Sequence, residues 1–142
     1  MVELDPTVAE ALADGPDVLV WSGGTNDLGD DPFEMLAGVE ERLAEYAQRG
    51  CVVFAVPIFR YEQGTPEEIA EETAGSRLLE EAAVESGAVV ASYLDVSLAM
   101  AEDGRYFFAE GELGNIHPGT QSYPDIAEAI GEAVDRCPPP AS

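Results

Sequence analysis

Two residues of this chain have side chains suited to sharing one reaction, Asn26 and His117. His117 is the single histidine and lies in "NIHPGT". Its imidazole changes charge near neutral pH and can take a proton from a nucleophile as a general base. Asn26 follows the apolar run "DVLVW" in "SGGTND", where a side-chain amide could donate to an oxyanion forming on a substrate carbonyl. Each has a structural alternative: Asn26 could bond its local backbone, Asp27 could cap the next helix, and a lone histidine is often packed for structure alone. What the pair lacks is a nucleophile. Ser22 stands two residues before Gly24, and Ser92 and Ser97 lie in or after a later strand. None sits in a G-x-S-x-G turn, and without lysine a Ser–Lys dyad is excluded.

The surrounding elements follow from hydrophobic spacing. Residues 6–14 predict a short helix closed by Gly15-Pro16, and "DVLVW" a buried strand. From Pro32 to Arg49, Phe33, Leu36, Val39, Leu43 and Tyr46 recur at helical spacing, with Gly50 as the stop. "CVVFAVP" is a second strand, its continuous apolar character suiting a sheet covered on both faces. Pro66 opens a helix with Glu67 and Glu68 in its first turn; Ile69, Leu78, Leu79 and Val84 supply its apolar residues, and Gly75-Ser76 is a weak point. "AVVASYLDV" predicts a third strand, an irregular stretch runs from Ala101 to Thr120, and "QSYPDIAEAIGEAVDRC" is the last helix, with Thr120 placed to cap it. Strands alternating with helices imply parallel pairing and an α/β layered sheet. In such sheets chemistry gathers at the carboxyl ends of the strands. "GGTND" follows the first strand and "NIHPGT" lies beyond the third.

At 142 residues the chain suits one domain, residues 1–137, ahead of a frayed tail, 138–142, that begins with three prolines. With 29 Asp and Glu against six Arg and a formal net charge of −23, the surface repels phosphate backbones and anionic lipid, so nucleic acid is not an expected partner. No apolar run approaches the ~18 residues of a membrane span, and no signal peptide is visible. The chain as it stands reads as cytoplasmic, or as secreted if a signal lies upstream. Cys51 begins a strand and Cys137 ends the last helix, so both fall on the side of the sheet opposite the expected site. A disulfide between them is within geometric reach and would imply an oxidising compartment; two unpaired thiols in a cytosolic protein are the equal alternative.

"GGTND" together with "HPGTQSY" resembles the GDSL/SGNH hydrolases, whose third block reads G-x-N-D and whose last reads D-x-x-H-P ahead of the C-terminal helix. The resemblance runs through most of the chain. It implies a flavodoxin-like three-layer α/β/α fold of about five parallel strands, and hydrolysis of acyl or acetyl esters, including acylated carbohydrates, with no metal or cofactor. Gly24, Thr25, Asn26 and Asp27 match the G-x-N-D block, so Asn26 would serve the oxyanion hole. His117 and Pro118 match the last block, so His117 would be the base.

Two departures qualify this. The family's G-D-S block, which supplies the nucleophile, is absent, as is the second block with its oxyanion glycine, so about three strands are expected here. The Asp that orients the family's histidine corresponds to Gly114; Glu110 or Glu112 could replace it from the same loop. Without its nucleophile such a site keeps only a residual ~10³–10⁴ over water. The sequence therefore reads as an N-terminally incomplete SGNH-type ester hydrolase, inactive alone, with a non-catalytic remnant or α/β binding module as the alternative. An incomplete sheet would leave the "DVLVW" strand as an edge open to self-association.

Overall fold

A computed structural model describes residues 10, 13–22, 32–56, 58, 65–108 and 118–139, with the side chains of 32–36, 68, 69 and 72 outside that description. The elements are β1 (Val18–Ser22), α1 (Pro32–Ala47), β2 (Cys51–Val56), α2 (Pro66–Glu85), β3 (Val89–Ser92), α3 (Tyr93–Glu102), a 3₁₀ turn (Thr120–Ser122) and α4 (Tyr123–Asp135). The three strands form one parallel sheet in the order β1-β2-β3. Val18 pairs with Cys51 and Ser22 with Ala55; Val53 pairs with Val89 and Val56 with Ser92. This is an α/β fold.

β2 is the buried centre, and its side chains alternate between two cores, as strand geometry requires. Val52, Phe54 and Val56 pack with Val39, Leu43 and Tyr46 of α1 and with Leu79 and Ala83 of α2. Val53 faces the other way, toward Ala133 of α4, with Ala91 of β3 and the half-buried Ile130 and Val134. Leu19 and Trp21 of β1 join the first core. There Trp21 stacks on Phe54 at 4.9 Å and meets Tyr46 edge-on at 6.0 Å, contacts worth about 0.5–1.5 kcal/mol each beyond burial. Gly50 sits at a close approach: a Cβ there would lie 3.2 Å from the Pro16 carbonyl oxygen and 3.3 Å from that of Asp17, so a side chain would require the chain entering β1 to give by a few tenths of an ångström.

Three expectations are corrected. The third strand stops at Ser92 instead of running through "SYLDV", and Tyr93–Glu102 is a helix. The Ser92 side chain accepts the Asp95 N–H at 3.1 Å, which makes Ser92 an N-cap and turns the chain at once. On α2, Leu79 is buried but Leu78 and Val84 are 55% and 61% exposed. The covered face uses Ser76, Leu79, Ala82 and Ala83, and the helix runs unbroken through Gly75-Ser76. Thr120 does not cap α4 but opens the 3₁₀ turn, and no side chain caps either element. The predicted short helix at residues 6–14 lies mostly outside the described residues.

Cys51 and Cys137 are joined by a disulfide, with their Cα atoms 5.9 Å apart. The bond fixes the end of α4 at the amino end of β2. Thirteen helical residues rise about 20 Å and six strand residues span about the same, so α4 begins level with the carboxyl ends of the strands.

Candidate active site

β1, β2 and β3 end at Ser22, Val56 and Ser92, which define one rim of the sheet. The Asn26 block follows Ser22 in sequence. On the same side, Ile58, just past β2, packs with Leu94, Met100, Phe107, Phe108 and Ile126. Phe108 is bridged antiparallel to Pro118, the residue after His117. Gly24, Thr25, Asn26, Asp27, Glu110, Glu112, Gly114 and His117 themselves lie outside the described residues; of the proposed motif residues, Pro118 is within them.

The backbone beside Pro118 is held firmly. Gly119 N–H donates to the Phe107 carbonyl at 2.9 Å. Gln121 Nε2 donates to the carbonyls of Tyr106 and Phe108, both at 2.9 Å, and Ser122 Oγ donates to the Gly119 carbonyl at 2.6 Å. Phe107 and Phe108 are buried and meet edge-on at 5.2 Å. Sequence reasoning missed Gln121, because its partners are backbone carbonyls and no side-chain pattern announces them.

Two of the three serines weighed as nucleophiles have other duties. Ser97 is buried, with its Oγ donating to the Leu94 carbonyl at 2.8 Å, the back-bond of a helical serine. Ser92 caps α3 and also bonds the Glu80 carboxylate. Ser22 is exposed at the end of β1.

Charge around the third strand's end is arranged in arginine-centred pairs. Arg77 bridges Glu80 and Asp95, each at 2.7 Å, and hydrogen bonds to these carboxylates, Asp95 first, raise its pKa. Arg105 forks onto Asp125 and also reaches Asp103 at 3.2 Å. The hydrogen bond from Arg105 holds the Asp125 carboxyl below its ordinary value. A groove of about 420 Å³ lies between these pairs, lined by Glu80, Ser92, Asp95, Asp125, Glu132 and Arg136 among others. Among the described residues no group of three or more His, Cys, Asp or Glu is placed to hold a metal ion.

No family model matches the chain, and no curated protein matches it in sequence. Solved structures do. An α/β hydrolase, LAE5, from the metagenome of Lake Arreo, Spain, superposes with a TM-score of 0.67 at 20% identity, covering 91% of this chain and 64% of its own. The acetylxylan esterase Axe2 from Geobacillus stearothermophilus superposes with a TM-score of 0.68 at 16% identity, covering 90% of this chain and 64% of its own. The fold is shared with ester hydrolases. The chain spans slightly under two thirds of the length of these enzymes, and at this identity the likeness concerns architecture alone. No described helix is long and apolar enough to cross a membrane.

Proposed function

We propose that this chain carries the base and an oxyanion donor of an SGNH-type ester hydrolase, with His117 as general base and Asn26 as donor. In that reaction His117 takes the proton of a serine hydroxyl as its oxygen attacks the ester carbonyl carbon, and Asn26 donates to the oxyanion so formed. The carbonyl re-forms as the alcohol departs with the proton, and water releases the acid by the same steps. Gly24, Asp27 and Pro118 take no step in the chemistry and act only in support of the two groups. Neither group is a nucleophile, and no serine of this sequence stands in a G-D-S block, so in this reading the chain alone is inactive.

The observation that carries this reading is that described residues adjoining both motifs lie toward the carboxyl end of the sheet. β1 ends just ahead of the Asn26 block, and Pro118, next to His117, is bridged to Phe108 in the cluster that also holds Ile58. The likeness to an acetylxylan esterase makes an acetylated carbohydrate the first substrate to try. The disulfide supports work in an oxidising compartment. β1 has one strand neighbour in the described sheet and Val20 is 44% exposed, which supports self-association through that edge.

The test uses p-nitrophenyl acetate and acetylated xylo-oligosaccharides, with this chain and with the longest polypeptide its reading frame encodes. Hydrolysis by the longer polypeptide alone, lost in Asn26→Ala and in His117→Ala, is the expected result. Turnover by either form that survives both substitutions overturns the proposal.

A further inference from the structure

We infer that Gln121 is a positioning residue for His117, holding together Phe108 and Pro118, the two residues that flank 109–117 in sequence. This rests on the reading of His117 as the base, but its test does not need turnover. A primary amide nitrogen has two donors. In Gln121 both are spent on carbonyls two residues apart, those of Tyr106 and Phe108, each at 2.9 Å. Phe108 is the last described residue before the stretch and Pro118 the first after it, and the two are bridged. The bond from Gly119 N–H to the Phe107 carbonyl ties the same strands of chain once more. Phe107 and Phe108 are 1% and 2% exposed, so the amide refers the chain at Pro118 to a packed core.

Gly119 completes the device. Its φ is −74°, a conformation open to any residue, so backbone freedom does not explain the glycine. Space does: a Cβ there would fall 2.5 Å from Gln121 Oε1 and 2.6 Å from Nε2. The amide occupies the room that the missing side chain leaves. His117 is one peptide bond from Pro118, and a catalytic group displaced by about 1 Å can lose ~10²-fold in rate. A residue that fixes Pro118 therefore fixes the origin from which the imidazole reaches.

The test exploits the single histidine, which gives one Cε1–Hε1 correlation in a ¹³C-labelled chain. Gln121→Ala removes the clamp. Gln121→Glu keeps its shape but sets an acceptor against two carbonyls, and Gly119→Ala expels the flexible amide without straining the backbone. Each variant is expected to displace the His117 correlation and shift its pH-titration midpoint, with far-UV circular dichroism retained. The Gln121→Ala/Gly119→Ala double variant should shift no further than Gln121→Ala, since both remove one contact. His117 signals and midpoints equal to wild type in the folded single variants overturn the inference, even if their melting temperatures fall. If Gln121→Glu fails to fold, the other two single variants decide. Failure of the base assignment is read separately, from hydrolysis that persists in His117→Ala.

Discussion

Arg105 grips Asp125 with two hydrogen bonds, Nη1 to Oδ2 at 2.9 Å and Nη2 to Oδ1 at 3.0 Å. The pair joins the chain just after α3 to the first turn of α4. It acts on the same segment of chain that Gln121 holds. A fork of this kind is stronger than a single ion pair because both donors are fixed by one planar group.

The fork makes stability depend on pH in a stated direction. Asp125 has a folded pKa below its ordinary 3.8, so its contribution is fully present above that value and is lost as pH falls through the lower, folded one. Asp125→Asn should therefore lower the melting temperature at pH 7. The difference from wild type should shrink steadily below pH ~4, as seen in thermal melts across that range. A difference that stayed constant down to pH ~2 would mean the carboxylate's charge is not what stabilises the folded chain.

Core and surface leucines should separate cleanly. Leu43 is fully buried between α1 and the sheet, whereas Leu78 of α2 is 55% exposed. Leu43→Ala is expected to cost about 2–5 kcal/mol and Leu78→Ala no more than about 0.5 kcal/mol, measured by urea unfolding. Equal costs would contradict the orientation of α2.

Breaking the disulfide should be expensive. It links residues 86 apart in sequence, and a ring of that size contributes about 4–5 kcal/mol in the chain-entropy model. Cys51→Ser/Cys137→Ser should move the urea midpoint down accordingly. Added reductant should reproduce the shift in wild type and leave the double variant unchanged.

Ser92→Ala tests the role given to that hydroxyl. Loss of the cap on α3 should cost about 1 kcal/mol in unfolding free energy, while any hydrolysis by the longer polypeptide persists. Loss of turnover in a folded Ser92→Ala variant would reinstate Ser92 as a nucleophile.

The central strand was legible because "CVVFAV" is apolar on both faces and bounded by Gly50, leaving few other places for it. β1 was legible as a strand from its apolar run, but not as a buried one: at the edge of the described sheet its residues are half-buried or exposed. β3 was over-extended because "SYLDV" continues the apolar run; what ends the strand is one hydroxyl accepting the Asp95 N–H, an event of cap geometry rather than composition. On α2, large residues were read as core when small ones fill the interface: Ala82 and Ala83 let the helix come close to the sheet, and Leu78 is turned outward. For the proposed site, the motifs suggested Asn26 and His117, but the sequence could not announce a glutamine whose partners are carbonyls or a glycine whose missing side chain leaves that glutamine room.

The Cys51–Cys137 bond also changes what a cut in the backbone would do. It makes most of the domain, from the start of β2 to the end of α4, a covalent ring. A protease that cut once inside the ring would open it without releasing a fragment, so β1 and the severed remainder would still travel as one molecule. Reduction as well would be needed before the two pieces made by such a cut could part.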